Sequence, residues 1–373
     1  MTLARLDQRR RAFADAMDAQ GAWPADSQWV RRAILDTVPR HQFASDRLWT
    51  WNGHAYVPVD RATDPDGWAD LVYAGPDDSA ITQILDGLPS SSPSCASVVA
   101  DMADSLDANP DHLVLELGAG QGWNSGILAT RVGAGKVTTV EVDADLADAT
   151  RHRLAAAGLD VAVHTGDGNA GWPASAPYDR VIATYAVDLV PWTWIEQTKP
   201  GGRLVIPWGR LGHVALTVAD DGKSATGWVQ GLATFMPSRG VDQGRELHAV
   251  RGDGPPDRAV RLDHELRPLL NPHLLFALRV SHPDIRITTK DTGEEVTVDL
   301  HDGINSWATA TTDCAGNIAA YEGGPRKLFA EVAAGQQLWA ARAMPSIWDF
   351  GMTVTLDGQY VWAGSADSGP YRL

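Results

Sequence analysis

The chain has 373 residues, more than one compact core usually holds, so two or three domains are expected. Its apolar fraction of 44% and charged fraction of 21% are those of a soluble globular protein, and no stretch approaches the roughly 18 uninterrupted apolar residues a membrane helix needs. A formal net charge of −16 repels phosphate backbones, which excludes nucleic acid as a good partner.

The first twenty residues carry charges where a signal peptide would need its apolar segment, so a cytoplasmic protein is expected. Residues 3–20 alternate in the helical manner, with Leu6, Phe13 and Met17 as apolar marks. Arg9, Arg10 and Arg11, with Arg5 nearby, read as a solvated face. Trp23-Pro24 breaks that helix. Asp26 or Ser27 can cap the next one, which carries Trp29, Val30, Ile34, Leu35 and Val38 and ends at Pro39. Residues 41–93 read as irregular, and Leu88 to Ser94 as a loop by composition. A helix follows with Val98, Val99, Met102 and Leu106 inward.

Next, apolar runs alternate with helical segments. Residues 113–117, 137–142, 161–164, 178–184 and 202–207 read as strands, the first as a buried parallel strand. Residues 146–157 form a helix that Gly158 stops. Such alternation implies right-handed crossovers and a doubly wound parallel sheet. After about residue 211 the texture changes to strand-like alternation at 214–218, 285–287 and 296–300, with one helix near 326–343. Met352 to Thr355 and Tyr360 to Trp362 flank Asp357-Gly358, a hairpin signal. The expected organisation is an N-terminal helical and irregular extension over 1–92, an α/β domain over 93–212, and an α+β module over 213–373.

The chemistry concentrates at Gly118-Ala119-Gly120-Gln121-Gly122, between the first of these strands and a helix. Glycines let backbone approach a ligand, and the helix N-terminus offers free N–H groups. Glu141 ends the next strand, 21 residues after Gly120, where a carboxylate can grip two ribose hydroxyls. Asp167-Gly168 ends the third strand, where a carboxylate can accept from an adenine amino group. These features allow a dinucleotide or S-adenosylmethionine. Glu116 favours the second, because its carboxylate would repel a pyrophosphate but not a sulfonium or ammonium. Cys95 and Cys314 match no metal-ligand spacing, the histidines offer none either, and no metal is expected. His41, His152 and His164 read as structural or exposed.

Residues 1–210 resemble the protein-L-isoaspartate O-methyltransferases. Val114-Leu-Glu-Leu-Gly-Ala-Gly-Gln-Gly-Trp123 matches that family's first cofactor motif, with Trp123 where a tyrosine is usual. Gly166-Asp-Gly168, Ala176-Pro-Tyr-Asp-Arg-Val-Ile-Ala-Thr184 and Lys199-Pro-Gly-Gly-Arg-Leu-Val-Ile-Pro207 match its later segments. Val38-Pro-Arg-His-Gln-Phe43 resembles its N-terminal Val-Pro-Arg-x-x-Phe. The resemblance implies a class I Rossmann-like methyltransferase fold. It places S-adenosyl-L-methionine, and the product S-adenosyl-L-homocysteine, on Glu116, Gly118, Ala119, Gly120, Gly122, Trp123, Asn124, Glu141, Val142, Asp167, Gly168, Thr184 and Tyr185. The family's Ser-x-Pro element, which lies over the active site, is altered. Counting back from Val114 without gaps puts Ser94-Cys95-Ala96 on it, whereas Ser91-Ser92-Pro93 keeps the motif with a three-residue insertion; Ser94 is preferred.

The resemblance also implies the acceptor. A carboxylate is already ionised at neutral pH and can attack the methyl group directly, so no base is needed. Ordinary family members methylate isoaspartate in damaged proteins. Tyr185 to Gly202, Phe235-Met-Pro-Ser-Arg239, and Phe350 to Gln359 followed by Val361-Trp362 resemble a subgroup found with ribosomal peptide clusters, those of graspetides and lanthipeptides. That subgroup methylates an ordinary aspartate in a cyclised peptide, and the ester collapses to an aspartimide. The C-terminal module would then recognise the peptide; its Trp228, Phe235, Trp307, Trp339, Trp348 and Trp362 read mostly as core. The expectation is thus peptide aspartate methylation, with repair-type isoaspartate methylation as the alternative. A non-catalytic peptide binder is disfavoured by the intact loop.

Overall fold

The computed structural model describes residues 3–209, 211–240, 244–262 and 265–372. The chain forms two compact units. The first is Met1–Pro237 with Val354–Gly358, and the second is Ser238–Thr353 with Gln359–Leu373.

The first unit opens with α1 (Leu3–Ala19) and α2 (Gln28–Arg32), which runs on into a π-helical turn at Ala33–Thr37. Ser27 is the N-cap residue of α2, without a side-chain bond. Phe13, Met17, Val30, Ile34 and Val38 are buried in one core. Residues 41–93 are more regular than expected. β1 (Arg47–Trp51) pairs antiparallel with β2 (Tyr56–Asp60), and α3 (Pro65–Val72) is capped by Asp64, whose side chain accepts from the Gly67 N–H. β3 (Gln83–Leu85) and β4 (Leu88–Ser91) make a hairpin across Asp86-Gly87, whose φ angles are 51° and 80°. An Asp-Gly pair with both φ positive is a favoured two-residue hairpin turn. The expected loop at Leu88 to Ser94 therefore begins as a strand.

The centre of the unit is a sheet with helices between its strands. In chain order these are α4 (Ala96–Ser105), β5 (Val114–Leu117), α5 (Trp123–Val132), β6 (Val137–Glu141), α6 (Ala144–Ala156), β7 (Val161–Thr165), β8 (Tyr178–Ala183), α7 (Trp192–Glu196), β9 (Thr198–Trp208), β10 (Gly212–Val218) and β11 (Ser224–Leu232). Seven strands take the order β11-β10-β9-β8-β5-β6-β7. The strands β7-β6-β5-β8-β9 are mutually parallel. All four residues of β5 are buried, as a strand covered on both faces requires. The sheet is mixed rather than purely parallel, because β10 and β11 add to β9 antiparallel. The expected break at 212/213 thus falls inside the sheet, and the unit runs to Pro237. The change of texture there marks hairpin connections replacing crossovers.

The second unit is β-rich. It contains α8 (Leu247–Arg251), β12 (Arg258–Ala259), α9 (Pro272–Ser281), β13 (Arg286–Asp291), β14 (Val296–His301), β15 (Trp307–Thr312), β16 (Ile318–Gly323) and α10 (Leu328–Ala341), and the chain closes with the hairpin strands β17 (Phe350–Thr355) and β18 (Gly358–Ala363). An antiparallel sheet of order β12-β16-β15-β14-β13 turns Val296, Val298 and Leu300 into a core with Leu274, Leu278, Leu328 and Val332. Trp307 and Trp362 are buried, while Trp348 is exposed. Among the described residues no helix is long and apolar enough to cross a membrane, and no group of three or more His, Cys, Asp or Glu could hold a metal ion.

Candidate functional site

The glycine loop joins β5 to α5. Gly118, Gly120 and Gly122 take φ of 93°, 53° and 84°, a conformation cheap only for glycine. The N–H groups of Gly118 and Ala119 both donate to the Val140 carbonyl, at 2.8 and 3.2 Å, which fastens the loop to β6. A Cβ on Gly122 would lie 2.9 Å from Thr150 Cγ2, so this glycine lets α5 start against α6. A Cβ on Gly118 would meet Thr184 Oγ1 at 2.5 Å and Tyr185 Cδ1 at 3.0 Å. Over Gly120 the nearest such neighbour is Ser91 Oγ at 4.0 Å, so this face of the loop is open.

Three strand ends converge on the loop. Glu141, buried at the end of β6, accepts the Gly120 N–H at 2.9 Å through one oxygen and the Asp143 N–H at 3.1 Å through the other. Each oxygen keeps a lone pair for a further donor. Val142 is half exposed beside it, an apolar surface next to the carboxylate. Asp167 is exposed after β7 and accepts the Asn169 N–H at 2.9 Å. After β8, Thr184 donates through its hydroxyl to the Gly118 carbonyl. The Tyr185 hydroxyl donates to Asn169 Oδ1 at 3.3 Å, and a Cβ on Gly168 would collide with that hydroxyl. Burial, with the Asp167 and Glu141 charges, pushes the Tyr185 phenol above its ordinary range. Gly118, Glu141, Asp167, Gly168, Thr184 and Tyr185 therefore lie on the loop and the strand ends beside it.

Glu116 lies deeper than an open cation-facing carboxylate would. It is fully buried, and its oxygens accept from Asn124 Nδ2 at 2.8 Å, Thr139 Oγ1 at 2.6 Å and the Ser125 hydroxyl. Burial pushes its pKa up to about 7 against those three bonds, which lower it. The Asn124 amide is thus engaged with Glu116. Trp123 departs further from expectation: its Nε1 donates to the Val38 carbonyl at 2.9 Å, and its ring belongs to the N-terminal core. Its large buried ring serves packing.

Of the two candidate serines, the structure brings Ser91 to the loop. Gln121 Nε2 donates to Thr82 Oγ1 at 2.9 Å and to Ser91 Oγ at 3.5 Å, and Gln121 Oε1 accepts from the Ser45 hydroxyl at 3.2 Å. Ser94 instead gives its backbone carbonyl to Arg40 at 2.9 Å. The preference for Ser94 shifts to Ser91 because the β3–β4 hairpin, invisible to an ungapped count, reaches the loop. Arg40 and Gln121 were missed as organising residues. The Arg40 guanidinium, buried and 5.3 Å from the Trp123 ring centre, also donates to the carbonyls of Val72, Asp78 and Pro93 at 3.2, 2.8 and 2.8 Å. Burial lowers its pKa to about 10. The Val-Pro-Arg motif marked Arg40, but its four carbonyl partners are distant in sequence. Of the three histidines, His164 stacks on Trp172 at 4.0 Å, His152 is exposed, and His41 Nδ1 lies 2.8 Å from the Tyr73 hydroxyl.

Residues 77–235 match the family described as protein-L-isoaspartate(D-aspartate) O-methyltransferase. A protein-L-isoaspartate O-methyltransferase of Methanopyrus kandleri is 46% identical over 115 residues, 30% of this chain and 51% of its own length. One of Thermococcus sibiricus is 36% identical over 185 residues, 49% of this chain and 71% of its own. The chain spans about half the length of the first relatives it matches. A solved structure named protein-L-isoaspartate O-methyltransferase aligns with 95% of this chain and 100% of its own, at 20% identity and a TM-score of 0.54. At that identity it speaks for the fold alone.

Proposed function

The chain belongs to the protein-L-isoaspartate O-methyltransferase family, and from that premise we propose that it is a carboxyl O-methyltransferase acting on isoaspartyl residues of proteins or peptides. The family's cofactor is S-adenosylmethionine. The observation that carries the reading is the Glu141 carboxylate hydrogen-bonded to Gly120 in a loop whose open face a Cβ could enter freely.

The residues fit the cofactor. Glu141 would accept from the ribose hydroxyls, Val142 would offer its apolar surface to the adenine, and Asp167 would accept from the adenine amino group. Glu116 lies buried below the loop, where its three donors hold it in place. Bound there, S-adenosylmethionine supplies an electrophilic methyl group to a carboxylate oxygen. This chain has to align that carboxylate and keep water away. Ser91, which accepts from Gln121, would donate to the acceptor, and Tyr185 would close the far side of the loop.

A second reading keeps the chemistry and changes the acceptor to an ordinary aspartate of a cyclised ribosomal peptide. Tyr185 to Gly202 and the C-terminal Phe350 to Gln359 favour it, and the second unit would recognise the peptide. The names of the relatives favour the isoaspartyl reading. In the second reading the next backbone nitrogen attacks the ester and expels methanol, forming an aspartimide that water can open to isoaspartate. Mass spectrometry separates the two. An isoaspartyl peptide and a cyclised precursor with ordinary aspartate are each incubated with enzyme and S-adenosylmethionine. Methyl gain on the isoaspartyl peptide alone is expected; gain followed by methanol loss on the precursor alone would replace this reading with the second.

A further inference from the structure

A cavity of about 400 Å³ opens between the N-terminal segment and α6, lined among others by His41, Ser45, Asp46, Arg61 and Arg153. Two guanidinium groups face it in a chain whose net charge is −16. Arg61 is partly compensated: it pairs with the exposed Asp46 at 3.4 Å, and its guanidinium lies 4.5 Å from the Trp68 ring centre. Arg153 feels the Asp46 charge, but among the described residues its side chain makes no hydrogen bond and no ion pair, and its Nη1 is buried without a partner. A guanidinium nitrogen withdrawn from water without an acceptor is costly, and such groups in native structures usually mark a site where a ligand or ion completes the bonding. A planar guanidinium matches a carboxylate or phosphate best. Burial and the Arg10 and Arg61 charges hold the His41 pKa below the ordinary value.

One hydrogen bond links the cavity wall to the glycine loop. Ser45, on its wall, donates to Gln121 in the glycine loop, and Gln121 holds Ser91. Arg153 rides on α6, whose N-cap residue Asp143 follows Glu141 by two positions. We propose that this cavity is an anion subsite that takes a second acidic group of the peptide substrate, a carboxylate other than the one methylated. This rests on the peptide-methylation reading above. An acidic chain repels acidic peptides at long range, and a local cationic pocket offsets that where the peptide docks.

The test uses isoaspartyl peptides that carry Glu at one of several flanking positions, each matched by a Gln peptide, with wild type and Arg153→Met. In wild type at least one Glu peptide should show a KM about fivefold to tenfold below its Gln partner, with kcat unchanged. Arg153→Met should abolish that gain and leave the Gln peptides as they were. Inorganic phosphate should raise the KM of the favoured Glu peptide alone. No Glu preference in wild type, or a preference that survives Arg153→Met, overturns the proposal. If no peptide is methylated, the functional reading fails, and the pocket is judged by melting temperature. Inorganic phosphate should raise that of wild type and not that of Arg153→Met; an equal response of both proteins overturns the subsite.

Discussion

A carboxylate buried as deeply as Glu116 must be neutralised or surrounded by donors, and Asn124, Ser125 and Thr139 surround it. The folded protein still holds the proton up to about 7, whereas an unfolded glutamate releases it near 4.3. The group therefore favours folding fully below the unfolded pKa, by up to about 4 kcal/mol, and that contribution is lost as pH rises through about 7. Urea titrations at pH 5 and pH 8 should show wild type losing more stability than Glu116→Gln over that interval; parallel losses would contradict this titration. Gln121 and Ser91 make a second residue-scale claim. If the amide positions the serine, Ser91→Ala and Gln121→Met should each lower kcat for an isoaspartyl peptide with little change in KM for S-adenosylmethionine. Their effects should fall short of additive by about 1 kcal/mol, and strict additivity would uncouple them. Glu141 and the loop glycines were legible because the motif is short and linear. The shift from Ser94 to Ser91 was not, since it depends on a hairpin and on a side-chain bond from Gln121.

Elements differ in how plainly they announce themselves. The buried parallel strands β5 and β6 read directly, β5 from its leucines and valine and β6 from its β-branched Val137 to Val140, each before a loop. The segment 41–93 did not, because β1 to β4 are only three to five residues long and mostly half-buried or exposed, so no clean period forms. What orders this segment is long-range: Arg40 ties α3 and the two segments around Asp78 and Pro93 through backbone carbonyls. Arg40→Met should leave those buried carbonyls without their donor and cost at least about 3 kcal/mol. Chemical denaturation would show it as a lowered urea midpoint, and Arg40→Lys should recover only part. A midpoint within experimental error of wild type would mean that the hairpin region holds itself.

At the scale of the molecule, the sequence marked two textures but placed their border too early, since antiparallel β10 and β11 belong with the parallel strands. The return of Val354–Gly358 to the first unit was not legible, because nothing local distinguishes a hairpin tip that rejoins an earlier unit. A chain ended at Pro237 lacks that segment and should unfold at lower urea than the first unit does within the full chain; equal midpoints would make the return dispensable. The cofactor loop, the converging strand ends and the family membership support the isoaspartyl methylation proposed above. The most direct measurement is the initial rate of base-labile methyl ester formation on two peptides of identical sequence, one with isoaspartate and one with aspartate. Ester on the isoaspartyl peptide only, lost in Glu141→Ala, is the expected result. Ester on the aspartyl peptide only, or on neither, would contradict it.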